Sequence, residues 1–379
     1  MQTTPDSSFY AGLLARLVYL PYWLSRLLLI LLEPFTFFRF CRTRRPSTVL
    51  CLEAGIRGWE IIEYKELLAS AEEFVGADGV RKIEIDRSQP YYPQVWAAVR
   101  QYRPTHYVYD SRTGSESWLG GLIEAFRIAI LFQCNGVVPI CALTDLPIRA
   151  WRAQTAVVSA RRGVVVSLMR PADVAPIYPH RRLVGPLLMA FSRRTLHMLE
   201  GIDARNQGKF TDKSLIFAGS LYEPRRSLLM AIQEGLARQD ITLEIKGREL
   251  GSKRFTDEDY WQRLSGATLV ITTANMFQQG GADWLWTLHL IYRYLEVPAA
   301  GSVLVAQEVP GLRRYLEPDV HYIAYQSPEE AIAKISYYWA RPDELQAIAE
   351  AGRKRVRALI EANSYWLCVD TALPDYPLV

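Results

Sequence analysis

Three groups of residues have the types and spacing to do chemistry. The first is Ala218-Gly219-Ser220-Leu221-Tyr222-Glu223-Pro224-Arg225-Arg226, which directly follows the apolar run Ser214-Leu215-Ile216-Phe217. This reads as a strand, a Gly-Ser turn and the start of a helix. Backbone N–H groups at such a helix start, together with a guanidinium, cradle a diphosphate. That singles out Gly219, Ser220, Arg225 and Arg226. Lys246, in Lys246-Gly247-Arg248 after a second short strand, is another cation within reach of a phosphate. The second group is Arg293 and Glu296, a guanidinium and a carboxylate just ahead of the small run Ala299-Ala300-Gly301. The third is Glu53, Asp110 and Asp145, each just past an apolar run (TVLCL, HYVY and VVPICAL). In a parallel sheet, ligands bind outside the carboxyl ends of the strands, so these acids can hold a hydroxyl or take its proton. The same placement suits a cap on the following helix.

The elements that must position these groups follow from periodicity. Apolar strands alternate with helical stretches from Thr48 to Leu168, with helices expected near 59–74, 92–102, 119–132 and 147–157. Such alternation predicts a parallel sheet with right-handed crossovers. The loop Glu53-Ala-Gly55-Ile-Arg-Gly58 lacks the spacing of a dinucleotide fingerprint. A second alternating series runs from Ser214 to about 362. Within it Leu285, Leu288, Tyr292 and Leu295 predict a helix ending near Arg293 and Glu296. Ser302–Ala306 and His321–Tyr325 are strands, and Ser327-Pro328 opens a helix.

Length and composition agree with two domains. At 379 residues, half of them hydrophobic and 22% charged, the chain is globular and too long for one ordinary core. The net charge of +4 names no partner, and no stripe of basic residues interleaved with aromatics points to nucleic acid. Five cysteines (41, 51, 134, 141 and 368) show no paired short spacing, so a reducing, cytoplasmic setting is expected, without a metal site.

Residues 8–45 are rich in leucine and aromatics, but Arg16, Pro21, Arg26, Glu33 and Pro34 interrupt them. The longest uncharged run, Leu17–Ser25, is nine residues, well short of the ~20 needed to span a bilayer. This predicts an in-plane amphipathic segment on the inner face of the cell membrane, with Arg39, Arg42, Arg44 and Arg45 meeting anionic headgroups. The alternative is a helix pair packed on its own domain or on a dimer mate. Residues 181–194, RRLVGPLLMAFSRR, repeat the theme.

Arg293-x-x-Glu296-x-x-Ala299-x-Gly301, a hydrophobic strand, and Glu308-x-x-Gly311 together resemble the donor segment of GT-B glycosyltransferases. The branch most similar is family 4 and the spore-maturation type of "glycosyl transferases group 1". The likeness covers about 214–362. It implies two doubly wound Rossmann-like α/β domains facing across a cleft: an acceptor-binding domain at 47–199, a linker at 200–213 and a donor-binding domain at 214–362. A tail at 363–379 would cross back to the first domain, and 1–46 would form the membrane segment. It further implies transfer of a sugar, with retention, from a UDP- or GDP-sugar to a lipid-linked or glycan acceptor, without metal or other cofactor. Glu296 would hold the ribose hydroxyls, Gly219-Ser220 with Arg225 or Arg226 the phosphates, and Asn275 with Gln278 to Gly281 the underside of the donor. The family pattern has a glutamate where this chain has Leu288, which leaves open an inactive nucleotide-sugar-binding or scaffolding protein.

Overall fold

The computed structural model describes residues 20–43, 47–56, 61–110, 114–115, 117–143, 149–159, 162–171, 182–206, 208–221, 223–249, 256–274 and 288–379. Two wholly parallel sheets organise it. The first holds β1 (Leu50–Ile56), β2 (Val80–Ile85), β3 (His106–Asp110), β4 (Val138–Leu143), β5 (Val164–Ser167) and β6 (Leu183–Val184), in the order β2-β1-β3-β4-β5-β6. The second holds β7 (Leu215–Leu221), β8 (Leu243–Glu249), β9 (Leu269–Thr272), β10 (Val303–Gln307) and β11 (Ile323–Tyr325), in the order β11-β10-β9-β7-β8. The strands are nearly continuous Val, Ile and Leu because helices cover both faces of each sheet.

In chain order the helices are α1 (Leu20–Thr43), α2 (Ile62–Val75), α3 (Tyr91–Tyr102), α4 (Trp118–Asn135), α5 (Arg149–Val158), α6 (Arg193–Asp203), α7 (Arg225–Ala237), α8 (Asp257–Gly266), α9 (Arg293–Ala299), α10 (Pro328–Trp339), α11 (Pro342–Glu361) and α12 (Ser364–Thr371). Their starts obey local chemistry. Ser117, Ser192, Thr256 and Ser327 each accept a backbone N–H with the side chain at the N-cap.

In each sheet the strand order reverses once, between β1 and β3 in the first and between β7 and β9 in the second. Such a reversal splays the flanking helices apart and opens a crevice at the carboxyl ends of the two strands.

Helix α2 ties the two halves together. Glu66 accepts from Ser192 N and Oγ (2.8 Å each) and from Thr195 Oγ1 (2.5 Å), at the start of α6. Ser70 accepts the indole N–H of fully buried Trp366 on α12, at 2.9 Å. Beyond α12, the ring Nε2 of His106 pairs with Tyr376 O (2.9 Å), and Leu373 and Leu378 join the core of the first sheet.

Several expectations need correction. Glu53 lies inside β1, not in a loop after it: pairing with β2 carries the strand past an irregularity to Ile56. The helix expected to end at Arg293 and Glu296 instead begins there. Leu288 to Ile291 are non-helical, and the Leu290 N–H donates to Leu168 O of the first half. Residues 183–194 are not a second membrane-facing segment, since Leu187, Leu188, Ala190 and Phe191 are buried. The stretch expected as linker from 200 starts inside α6.

Candidate functional site

A cavity of about 660 Å³ opens between the halves at the crevice of the second sheet. Gly219 and Ser220 at the end of β7, Thr272 at the end of β9 and the first turn of α9 form its base. Across it stand Glu63 and Lys65, from the first turns of α2.

The wall is held by charge. Arg293 bonds through Nη1 to the Glu296 carboxylate and the Tyr260 oxygen, and donates through Nη2 to Ala218 O. Tyr260 in turn donates to Glu296. The Glu296 side chain is 3% exposed and that of Arg293 15%. Burial drives the Glu296 carboxyl above the usual carboxylate range, although Arg293 and the Tyr260 hydroxyl pull it down. The same burial lifts the Tyr260 phenol well above its ordinary value. Both bonds to the Glu296 carboxylate, from Tyr260 and Arg293, fall on Oε1, so Oε2 accepts nothing from the described residues. Gly219 keeps this packing close: a Cβ there would sit 3.2 Å from both Arg293 Nη2 and the Phe217 ring and would press on them.

Arg225 spans the switch point itself. Nε donates to Thr273 Oγ1 (2.9 Å), Nη2 to Thr273 O (3.3 Å) and Nη1 to Ser220 O (3.1 Å). It fixes the ends of β7 and β9 relative to each other while lining the cavity.

The structure therefore brings Gly219, Ser220, Arg225, Arg293 and Glu296 to one cavity. Arg226 and Lys246 are not among its lining residues, and Lys246 is paired with Glu244 on its own strand. Asn275, Gln278 to Gly281 and Asp145 lie outside the described residues. Among the described residues no cluster of His, Cys, Asp or Glu is spaced to hold a metal ion.

Glu53 and Asp110 meet at the crevice of the first sheet. Glu53, 1% exposed, accepts from the hydroxyls of Tyr91 (2.5 Å) and Tyr107 (2.9 Å) and from Asp110 N (3.1 Å). Asp110 accepts from the Tyr64 hydroxyl at 2.8 Å. Both acids line a cavity of about 30 Å³, room for about one water. That cavity shares Glu63 with the larger one.

Sequence reasoning missed Tyr260, Glu63, and the Lys65–Asp257 ion pair (2.6 Å) that crosses the cleft. The signal for Asp257 was present in Thr256-Asp-Glu-Asp259, a capped acidic helix start. Nothing local pointed to Tyr260, 36 residues from the carboxylate it bonds.

Residues 225–363 match a family model described as "Glycosyl transferase-like". No curated protein matches the sequence. Among solved structures, the chain is similar to Anabaena HepE in complex with UDP-glucose: TM-score 0.57 at 12% identity, over 84% of this chain and 99% of that one. It is similar too to a glycosyltransferase from Rickettsia africae (TM-score 0.57, 10% identity, 88% and 98% covered). A third is the sucrose-phosphate synthase of Thermosynechococcus elongatus (0.56, 12%, 85% and 97%). The paired parallel sheets are those of the GT-B fold.

Proposed function

We propose that this protein is a glycosyltransferase that moves a sugar from a nucleoside diphosphate sugar, UDP- or GDP-linked, to a lipid-linked or cell-envelope glycan acceptor. The observation that carries the reading is the cavity at the second crevice, where Gly219 and Ser220 at the end of β7, two fixed guanidiniums and a buried carboxylate with one unused oxygen line the same space. The ribose hydroxyls donate to Glu296 Oε2, and the diphosphate lies over Gly219 and Ser220 beside Arg225. The acceptor hydroxyl oxygen bonds to the anomeric carbon as the bond from that carbon to the diphosphate oxygen breaks. The electron pair leaves on the diphosphate, whose charge the guanidiniums stabilise, and the acceptor proton passes to it. That route needs no protein nucleophile and fits retention of configuration. On the acceptor side the acids assigned to the acceptor hydroxyl are Asp110, held by Tyr64 and by its backbone bond to Glu53, and Asp145; the one-water cavity at Asp110 has to widen for an acceptor to reach it. A lipid-linked acceptor puts the protein on the inner face of the cell membrane.

A second reading, favoured by Leu288 at the position of the family's sugar-contacting glutamate, is a protein that binds the nucleotide sugar without turning it over.

The test is a thermal-shift panel of UDP, GDP, CDP and TDP with their sugars, on the wild type and on Glu296→Gln. A ligand bound only by the native state raises Tm by mass action. One nucleotide is expected to stabilise the wild type strongly and the variant weakly. No shift with any nucleotide, or equal shifts in both proteins, refutes the donor site; binding without sugar transfer selects the second reading.

A further inference from the structure

Helix α1 packs on its own domain with one face only. Leu29 and Phe40 are buried, Glu33 pairs with Arg162 at 2.6 Å, and Thr36 reaches Gln133 of α4 at 3.4 Å. Leu20, Leu24, Leu27, Leu28, Leu31 and Phe35 fall on the opposite face, within an arc of roughly 100° at 3.6 residues per turn. All six are exposed, Phe35 by 81%, Leu31 by 61% and Leu24 by 56%.

Thr36 meets Gln133 near the C-terminal end of both helices, and Phe40 lies under Arg162 at the amino edge of the sheet. The two helices therefore run in the same direction. Leu119 and Ile123 are 59% and 49% exposed. They add an exposed apolar patch on α4, at the carboxyl edge of the sheet where the cleft lies.

Further along α4 the same outward stripe carries Arg127 and Ile130. They border a groove of about 450 Å³ between α3 and α4. Arg127 lies 3.8 Å over the Tyr92 ring and Arg100 4.7 Å over that of half-exposed Trp96. Neither guanidinium has a carboxylate partner among the described residues. The three helices carry five arginines (26, 39, 42, 100 and 127) against two glutamates. Glu33 is taken by Arg162, and Glu124 accepts from Ser115 N.

We infer that this outer layer docks on an anionic bilayer. The α1 stripe with Leu119 and Ile123 enters the acyl boundary, and the α3–α4 groove seats a lipid phosphate between Arg100 and Arg127. Charge selects the bilayer over a second copy of the chain: a two-fold contact would set the exposed Arg42, Arg100 and Arg127 against their own copies, whereas anionic headgroups complement them. Aromatics flanking a leucine stripe suit the interface between headgroup and chain. The inference deepens the membrane-side acceptor proposed above, but its readout is lipid binding, so it stands or falls apart from sugar transfer.

The experiment is co-sedimentation of the full chain with vesicles of phosphatidylcholine alone and mixed with phosphatidylglycerol. The wild type is expected to bind the mixed vesicles, and less so as salt rises. Arg100→Glu/Arg127→Glu is expected to lower that partitioning at least about tenfold, at roughly fivefold per arginine removed and more for reversal. Leu24→Ser/Leu31→Ser lowers binding to both vesicle types. All four side chains are exposed, so melting temperatures should hold; Phe35→Ser alone serves should the double variant unfold. Equal binding to both vesicle types overturns the phosphate seat. Absence of binding, or a dimer in sedimentation velocity that Leu24→Ser/Leu31→Ser dissociates, overturns the docking.

Discussion

Replacing Arg293 by Met should destabilise the protein strongly, and by an amount that depends on pH. In the native state Arg293 neutralises a carboxylate that is 3% exposed and braces α9 against Ala218 O of β7. Methionine fills similar volume but leaves Glu296 with only the Tyr260 hydroxyl. Removing one partner of a buried pair costs about 3–5 kcal/mol, against a total stability of about 5–15 kcal/mol. Part of that cost is avoided by protonating Glu296, whose carboxyl burial already holds above the usual range. Without Arg293 it rises further. A carboxyl raised in the folded state stabilises below its unfolded pKa, and that contribution is lost as pH rises through the folded one. The loss relative to wild type should therefore shrink when pH is lowered from 8 to about 5.5. Urea unfolding at both pH values measures it. Arg293→Met/Glu296→Leu removes the orphaned charge and should recover much of the stability at pH 8. A loss under about 1 kcal/mol, or one equal at both pH values, would refute the view that a buried carboxylate governs this wall.

Three further outcomes follow from packing. Gly352 sits inside α11, where alanine ordinarily favours the helix by about 1 kcal/mol. Here its Cβ would come 2.5 Å from His321 O, so Gly352→Ala should destabilise by about 1–3 kcal/mol in chemical denaturation. Trp366→Ala should cost about 3–5 kcal/mol, since the ring is fully buried, and Trp366→Phe far less, near the ~1 kcal/mol of the lost bond to Ser70. Lys65→Ala should change stability by less than about 1 kcal/mol, both partners being half-exposed, yet speed hydrogen exchange in the first turns of α2 and α8, which the Lys65–Asp257 pair ties across the cleft.

The alternation of strands and helices and the two sheets were legible because each is set by local periodicity; the turn expected at Gly219-Ser220 was not, since pairing with β8 carries β7 through both residues to Leu221. Element limits were less so. Gly55 and the polar residues around it read as a loop, yet β1 runs on to Ile56 because β2 offers a partner for it. The apolar period through Leu288 and Tyr292 read as helix, yet that backbone bonds to Leu168 of the other half.

The candidate site divides the same way. Sequence alone selected Gly219, Ser220, Arg225, Arg293 and Glu296, since residue type and position beside a strand end identify a group able to meet phosphate or hydroxyl. It equally selected Arg226 and Lys246, because one residue along a helix or strand turns a side chain to another face, and local pattern did not fix which. The bonds from Arg293 and Tyr260 to Glu296, and the approach of Glu63 from the opposite half, required the fold, which brings distant residues within hydrogen-bond reach. In α1 the sequence supplied leucines and phenylalanines all round the helix. Leu29 and Phe40 lie inside while Leu31 and Phe35 lie outside, though the two pairs are chemically alike. Only packing against α4 and α5 tells them apart, because burial depends on which face meets a neighbour and not on the side chain itself.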